Sequence, residues 1–361
     1  MKKKVTIQDI ANELGMSRNT VSKALNGQKV LEKTRQVILN KAVEMGYKGV
    51  SFPSTNTNIS LIKNKIHILI MTNKSLGNLS FFMSTVKGIQ QYIEGKDISL
   101  FQYVILDSSD MSQYTFHQYL STNQIGGIIG IEIFDKNIIQ MILNTKLPVT
   151  FIDCTPFINQ FSGNFDVVLM DNIYSIYELV EQLILNETTK FGFVGDFKHC
   201  RGFYERFIGL KEALSNNGLT YNKIYSITEP DHCPYGQVSW MVERIQNLPE
   251  LPQAFICAND SIAITLIYAL NHLNISIPDE IQVIGFDNIS ESEHIVPSLT
   301  TIHTPKEQLG QEAIQSVINR ILTPNLPSRI SYISTSTLFR HSTKQIKNSE
   351  NNLKHAPKKF D

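Results

Sequence analysis

Two sets of side chains in this sequence have the types and spacing to do chemistry. Near the N-terminus, Arg18, Asn19 and Lys23 fall on one side of a short apolar-periodic segment, clear of Val21 and Leu25. A guanidinium matches the O6/N7 edge of guanine and a carboxamide the N6/N7 edge of adenine, so this trio can read base edges. Ser17, Thr20 and Ser22 bring hydroxyls suited to phosphate. Thr6 and Asn26, at the outer turns, complete the candidate DNA contacts. The second set closes a series of short apolar runs: Asp107, Asp153, Asp171, Asp196, Asn259-Asp260 and Asp287-Asn288. Singly, each is a helix cap or turn former. Their recurrence at strand ends points to a shared polar cleft.

Catalytic constellations are absent from the sequence. It has no GxxxxGK[ST] phosphate loop, GxSxG elbow, HExxH site or GxGxxG fingerprint. The glycine-rich Gly126-Gly127-Ile128-Ile129-Gly130 reads as a buried strand, not a phosphate turn. The nine histidines are scattered, and His199, beside Cys200 and Arg201, reads as a loop residue near the cleft. The four cysteines, Cys154, Cys200, Cys233 and Cys257, form no CxxC pair and read as reduced, mostly buried thiols. An enzyme is therefore not expected, nor a cofactor or metal. No stretch approaches the ~18 apolar residues of a membrane helix. The basic start, Met1-Lys2-Lys3-Lys4, runs into polar residues and not into an apolar signal core, so the expected location is the cytoplasm.

Charge is divided unevenly along the chain. The chain carries 33 Lys/Arg and 33 Asp/Glu. Residues 1–48 hold ten of the former against four of the latter, which leaves 23 against 29 beyond them. A basic head on an acidic body suits a nucleic-acid contact confined to one end. Within the head, Thr6 and Asp9 fit a capping box, Ile7, Ile10, Ala11 and Leu14 follow at helical spacing, and Gly15 supplies a stop. Ser17 caps a second helix with Val21, Ala24 and Leu25 inward, and Asn26-Gly27 ends it. A third helix, from about Glu32 to Met45, buries Val37, Ile38, Ala42 and Met45. Two short helices around a glycine turn plus a supporting third make an all-α helix-turn-helix module, which lays its second helix in the major groove.

From Ile66 onward, apolar runs alternate with amphipathic stretches. IHILIM, FQYVILD, GGIIGI, PVTFID, DVVLMD, FGFVGD, AFICAND and IQVIGFD read as buried parallel strands. SFFMSTVKGIQQYI, SIYELVEQLI, YERFIGLKEALSN and DSIAITLIYALNHL read as helices between them. The alternation predicts doubly wound parallel α/β sheets with ligand chemistry at the carboxyl ends of the strands.

The run TIQDIANELGMSRNTVSKALNG, followed by TRQVILNKAVEMGY, closely resembles the DNA-binding domain of the LacI/GalR family of bacterial regulators. The resemblance continues to about Thr343 through ICANDSIAI, IPDEIQVIGFDNI, PSLTTIHTPKEQLG and LFRHST, the last matching the family's final strand. It implies a two-lobed, periplasmic-binding-protein-like sensor, a homodimer on a pseudo-palindromic double-stranded DNA operator, and a small-molecule effector, by family habit a sugar. It further implies that Phe81 and Phe82 face the cleft, that Arg206 binds the effector, and that Asn259 and Asp287 hold it, with Asp153 near a further contact. Arg206, Asn259 and Asp287 would provide the paired donors and acceptors a polyol needs, and Phe81 or Phe82 an apolar face. The expected organisation is a helix-turn-helix domain over 1–47, a linker over 48–65, a ligand-binding and dimerisation domain over 66–343, and a polar, disordered tail over 344–361. The N-terminal lobe takes about 66–170 and 305–330, the C-terminal lobe about 171–304 and 331–343.

Two stretches depart from the family pattern. The linker lacks the Ala-Arg pair of a hinge helix; Leu61 either serves as the minor-groove wedge or begins the core. Where relatives place an aromatic against the effector, this chain has Asp231 or His232, with Tyr235 as a substitute. A transport solute-binding protein would share the body but carry a signal peptide where this chain has its basic head. A regulator, acting as a repressor, is the preferred reading; a purine or a partner protein is the alternative effector.

Overall fold

The computed structural model describes residues 5–25, 30, 31, 34, 37, 38, 41, 42, 45, 47, 65–73, 79–105 and 113–345. The expectations for Asn26, Asp107, the linker with Leu61, and the tail beyond residue 345 lie outside the described residues.

In the head, α1 (Ile7–Leu14) begins at a full capping box: the Asp9 amide donates to Thr6 Oγ1 at 3.3 Å and the Thr6 amide to Asp9 Oδ2 at 2.8 Å. It stops at Gly15, whose φ of 62° is the left-handed conformation that a glycine adopts without strain. The second helix, α2 (Arg18–Leu25), is capped by Ser17, whose Oγ accepts the Thr20 amide at 3.1 Å. Thr34, Val37, Ile38, Lys41 and Ala42 are helical as well. Ile10, Ala11, Val21, Ala24, Leu25, Ile38 and Ala42 form the head's core. Val37 corrects the expected inward face, being 42% exposed. Ile38 and Ala42, four residues apart, take the inward stripe, and the adjoining position is turned about 100° away.

Among the described residues the body has two sheets. Its strands are β1 (Ile66–Asn73), β2 (Ile98–Ile105), β3 (Gly127–Ile133), β4 (Val149–Cys154), β5 (Phe165–Met170), β6 (Phe191–Val194), β7 (Ala254–Cys257), β8 (Gln282–Asp287), β9 (Thr300–His303), β10 (Ile330–Ile333) and β11 (Ser336–Leu338). Between them run α3 (Leu79–Ile93), α4 (Gln113–Thr122), α5 (Lys136–Asn144), α6 (Ile173–Leu185), α7 (Arg201–Asn216), α8 (Val238–Gln246), α9 (Asp260–His272), α10 (Glu291–His294) and α11 (Lys306–Leu322). The first sheet is ordered β2-β1-β3-β4-β5-β10 and the second β6-β7-β8-β9-β11. The eight apolar runs are strands, and β3 to β5 and β6 to β9 pair in parallel with their neighbours. Both faces of these strands are buried, so they carry near-continuous Ile, Val and Phe in place of alternation.

The chain passes to the second sheet after β5, returns through α11, and leaves again between β10 and β11. Two expectations are corrected here. Residues 331–333, assigned to the second lobe, extend the first sheet, where β10 lies parallel to β5. The Arg329 amide, which donates to Asp166 Oδ1 at 2.8 Å, delivers the chain there. The last strand is Ser336–Leu338, antiparallel to β9, and not LFRHST. Beyond Leu338, Thr300 Oγ1 takes the Arg340 amide at 2.8 Å, and a side chain thus replaces the ladder partner.

Helix α11 holds the first lobe together. Gly310 approaches α3 so closely that a Cβ there would stand 2.1 Å from the Thr85 carbonyl oxygen. At its far end Arg320, fully buried, forks onto Asp166 at the start of β5, and Ser316 Oγ donates to the same carboxylate at 2.6 Å. Burial alone would raise the Asp166 pKa; Arg320, Ser316 and the Arg329 amide outweigh it and lower it.

Candidate functional site

The head presents its polar residues on one helix. Arg18, Asn19 and Lys23 on α2 are exposed, Val21, Ala24 and Leu25 are buried, and Thr20 and Ser22 are half-buried between the two faces. Ser17 Oγ and Thr20 Oγ1 stand 2.8 Å apart at the helix start. The Thr6 hydroxyl is engaged by Asp9 Oδ2 at 2.7 Å, which makes Thr6 first of all a cap.

Within the body, the strand ends of both sheets converge on a cleft of ≈ 630 Å³. Phe81, Asp153, Arg206, Asn259 and Asp287 all line it. Phe82 does not: it is buried and turned away from this cavity, because consecutive helix positions point about 100° apart. Tyr235 also lies elsewhere. Its hydroxyl donates to the Glu229 carbonyl at 2.8 Å and its ring meets Trp240 edge-on, so it does not substitute for a ring-stacking aromatic. His232 is exposed and off the cleft, whereas Asp231 lines it.

Arg206 is the best-fixed group of the site. It is 3% exposed. Its Nε donates to Asn172 Oδ1 at 3.0 Å, its Nη1 to the Ala258 carbonyl, and its Nη2 lies 3.7 Å from Asp287 Oδ1. The guanidinium also sits 3.6 Å from the Phe286 ring centroid, a cation–π contact. Asp153, at the end of β4, accepts the Gly202 amide at 3.2 Å and so reaches from the first sheet to the start of α7. The fit is close there: a Cβ on Gly202 would stand 3.0 Å from the Asp153 carboxylate, which would have to give by a few tenths of an ångström. Burial raises the Asp153 pKa, against the Cys154 amide, Arg206, Cys200 and the Gly202 amide. Asn259 caps α9, its Oδ1 accepting the Ile262 amide at 3.0 Å.

Several lining residues escaped the sequence reading. Glu132 follows GGIIGI directly, and the strand runs one turn of alternation further than its apolar run, to Ile133. Burial, then Asp153 and Asp287, push its carboxyl up to about 8, with Arg206 opposing. Thr72, Phe134 and Phe203 had no signal beyond their place at strand and helix ends. His199 lines the cleft and is engaged: its Nδ1 is 2.6 Å from Asp231 Oδ2, and its ring meets Phe134 edge-on at 4.8 Å. Glu132, Asp153 and Asp287 all hold positive φ, of 53°, 54° and 109°. Non-glycine residues hold this conformation at a cost of about 1–3 kcal/mol, and such positions cluster at functional sites. Among the described residues no group of three or more His, Cys, Asp or Glu is arranged to hold a metal ion. No helix among them is long and apolar enough to cross a membrane.

A helix-turn-helix head with an exposed polar helix face, in one chain with a two-sheet body around a polar cleft, defines a ligand-responsive DNA-binding regulator. The comparisons with known proteins agree. Residues 6–49 match the model of bacterial regulatory proteins of the lacI family, and residues 180–343 match that of the periplasmic binding protein-like domain. The HTH-type transcriptional repressor PurR of Aliivibrio salmonicida is 26% identical over 347 residues, 94% of this chain and 99% of that one. The probable HTH-type transcriptional repressor ExuR of Bacillus subtilis is 28% identical over 351 residues, 95% and 99% of the two chains. A transcriptional regulator CelR–cellobiose complex superposes with a TM-score of 0.67 at 19% identity, covering 94% of this chain and all of that one. A Lac repressor dimer bound to operator and the anti-inducer ONPF gives 0.63 at 20% identity, covering 94% and 99%. The chain thus carries a lacI-family DNA-binding domain followed by a periplasmic binding protein-like domain. It is a DNA-binding transcription regulator and not an enzyme.

Proposed function

We propose that the protein is a cytoplasmic repressor that binds a pseudo-palindromic operator as a homodimer and is controlled by a carbohydrate in the cleft. Arg18, Asn19 and Lys23 read bases, Ser17, Thr20 and Ser22 contact phosphates, and Thr6 and Asn26 flank them. The convergence of Arg206, Asn259 and Asp287 on one cavity carries the effector reading. A polyol exchanges its hydration shell for paired donors and acceptors that are already oriented, and Phe81 offers an apolar surface beside them. The CelR relative was solved with cellobiose, which supports a saccharide; the PurR relatives make a purine the contrasting outcome.

A thermal-shift screen of the full chain against sugars, nucleosides and purine bases tests this. A ligand at ~100 times its dissociation constant stabilises the protein by about 2.7 kcal/mol. We expect stabilisation by a saccharide in the wild type and its loss in Asp287→Ala. A purine hit, or a saccharide hit unchanged in Asp287→Ala, would contradict the assignment.

A further inference from the structure

A row of acceptors crosses the C-terminal edge of the first sheet. Thr72 on β1 pairs with Ile131 on β3, and Ile131 with Ile152 on β4. Thr72, Glu132 and Asp153 therefore stand on three adjacent strand ends, beside the point where the strand order reverses and where such sheets bind ligands. Asp287 comes to them from the second sheet. Glu132, Asp153 and Asp287 thus lie around the guanidinium of Arg206, which is already committed to Asn172 and the Ala258 carbonyl; Asp287 also has the buried Lys306, whose ammonium donates to its carbonyl, so Glu132 and Asp153 are the pair that depends on Arg206 alone. The imbalance extends to the whole lining, where six Asp/Glu face two Lys/Arg. The second cation, Lys198, is exposed, and His199 is taken by Asp231.

An independent observation marks the same edge. Thr72 is 1% exposed, lines the cleft, and its hydroxyl has no hydrogen-bond partner among the described residues. Buried hydroxyls are rarely left so, and one facing a cavity is completed by what enters it. Glu132 likewise makes no side-chain hydrogen bond to a described residue. An uncharged polyol would satisfy these oxygens but leave the mutual repulsion of Glu132, Asp153 and Asp287 in place. A sugar phosphate or sugar acid would add to it.

We propose that the ligand is a cation: a polyhydroxylated molecule of carbohydrate size bearing a protonated amine, seated between Glu132 and Asp153 with Thr72 as a further acceptor. This rests on the carbohydrate reading above and narrows it. An ammonium group has three donors and no acceptor, the complement of a hydroxyl and two carboxylates. Its charge reverses the mutual repulsion that, together with burial, holds Glu132 protonated to about 8.

The test is calorimetric titration of the full chain with ring-matched probes: glucosamine, glucose and N-acetylglucosamine, and the corresponding galactose set. An aminated member is expected to bind at least about tenfold more tightly than its neutral and acetylated counterparts, because a charge-assisted hydrogen bond is roughly twice as strong as a neutral one. That ratio should collapse in Glu132→Gln and fall in Thr72→Val. Thr72→Val deletes a hydroxyl that has no partner, so it keeps the test open should Glu132→Gln fail to fold. Equal or tighter binding of a neutral or acetylated member overturns the cation while leaving the carbohydrate reading in place. Binding of a purine base with none of the six sugars overturns both, and failure of both aminated probes to bind overturns the proposal.

Discussion

Glu132 is a half-buried carboxyl set against two others, and this makes its ionisation part of the protein's stability. Its pKa rises from 4.5 to about 8, through burial first and then Asp153 and Asp287. Below about pH 4.5 it is protonated in both folded and unfolded chains. Between that value and about 8 the unfolded chain releases the proton and the folded chain keeps it, so stability falls as pH rises across this window. Thermal unfolding of wild type and Glu132→Gln from pH 5 to pH 8 checks the sign: we expect the variant to gain on the wild type as pH increases, and a constant difference would contradict it. Residue-scale legibility followed chemistry that shows in residue type. Asn259, Asp287 and Asp153 stood out as polar residues at the ends of apolar runs, whereas Arg206, inside a helix, was marked only by the resemblance to the LacI/GalR family. Glu132 was hidden by its position inside a strand, where the left-handed φ of 53° that turns it inward has no signature in the sequence. The choice between Phe81 and Phe82 needed the helix's rotation, which an apolar pair does not reveal.

At the scale of elements, α2 is the helix we propose to read DNA. Its inward residues leave Arg18, Asn19 and Lys23 on the opposite side, and a bidentate base contact is worth about 1–3 kcal/mol of discrimination. Arg18→Ala and Asn19→Ala should each weaken the selected operator by that amount while relaxing preference at one base. Lys23→Ala should likewise weaken the selected operator more than unrelated sequences, as expected of a base contact and not of a phosphate contact, whose loss weakens all sequences about equally. Anisotropy titrations at several salt concentrations separate these outcomes; unchanged operator preference in the two alanine variants would contradict the assignment of α2. The elements themselves were the most legible level, since buried parallel strands and capped helices write themselves as apolar runs and Ser, Thr, Asp or Asn boundaries. The final strand was not, because Ser336–Leu338 carries little apolar pattern and sits at a sheet edge. The return of β10 to the first sheet was equally hidden. It depends on Asp166 meeting residues 150 and 163 positions away.

At the scale of the molecule, the cleft residues couple the two sheets of the body. Asp153 of the first sheet holds the start of α7, and Arg206 of α7 contacts Met170, Ala258 and Asp287. A ligand that bridges Asp153 and Asp287 acts on groups of both sheets at once, and it can bias DNA binding only by its differential affinity for the two lobe arrangements. Linkage makes this reciprocal: whatever factor the ligand applies to operator affinity, the operator applies to ligand affinity. The most direct measurement therefore uses one complex in both directions, with an operator recovered by selection from a randomised duplex library. Operator affinity is measured with and without saturating ligand, and ligand affinity with and without saturating operator. The account predicts the same factor both ways, of about 5–150-fold, and no response in either direction for Asp287→Ala. An operator affinity indifferent to a ligand that demonstrably fills the cleft would contradict it.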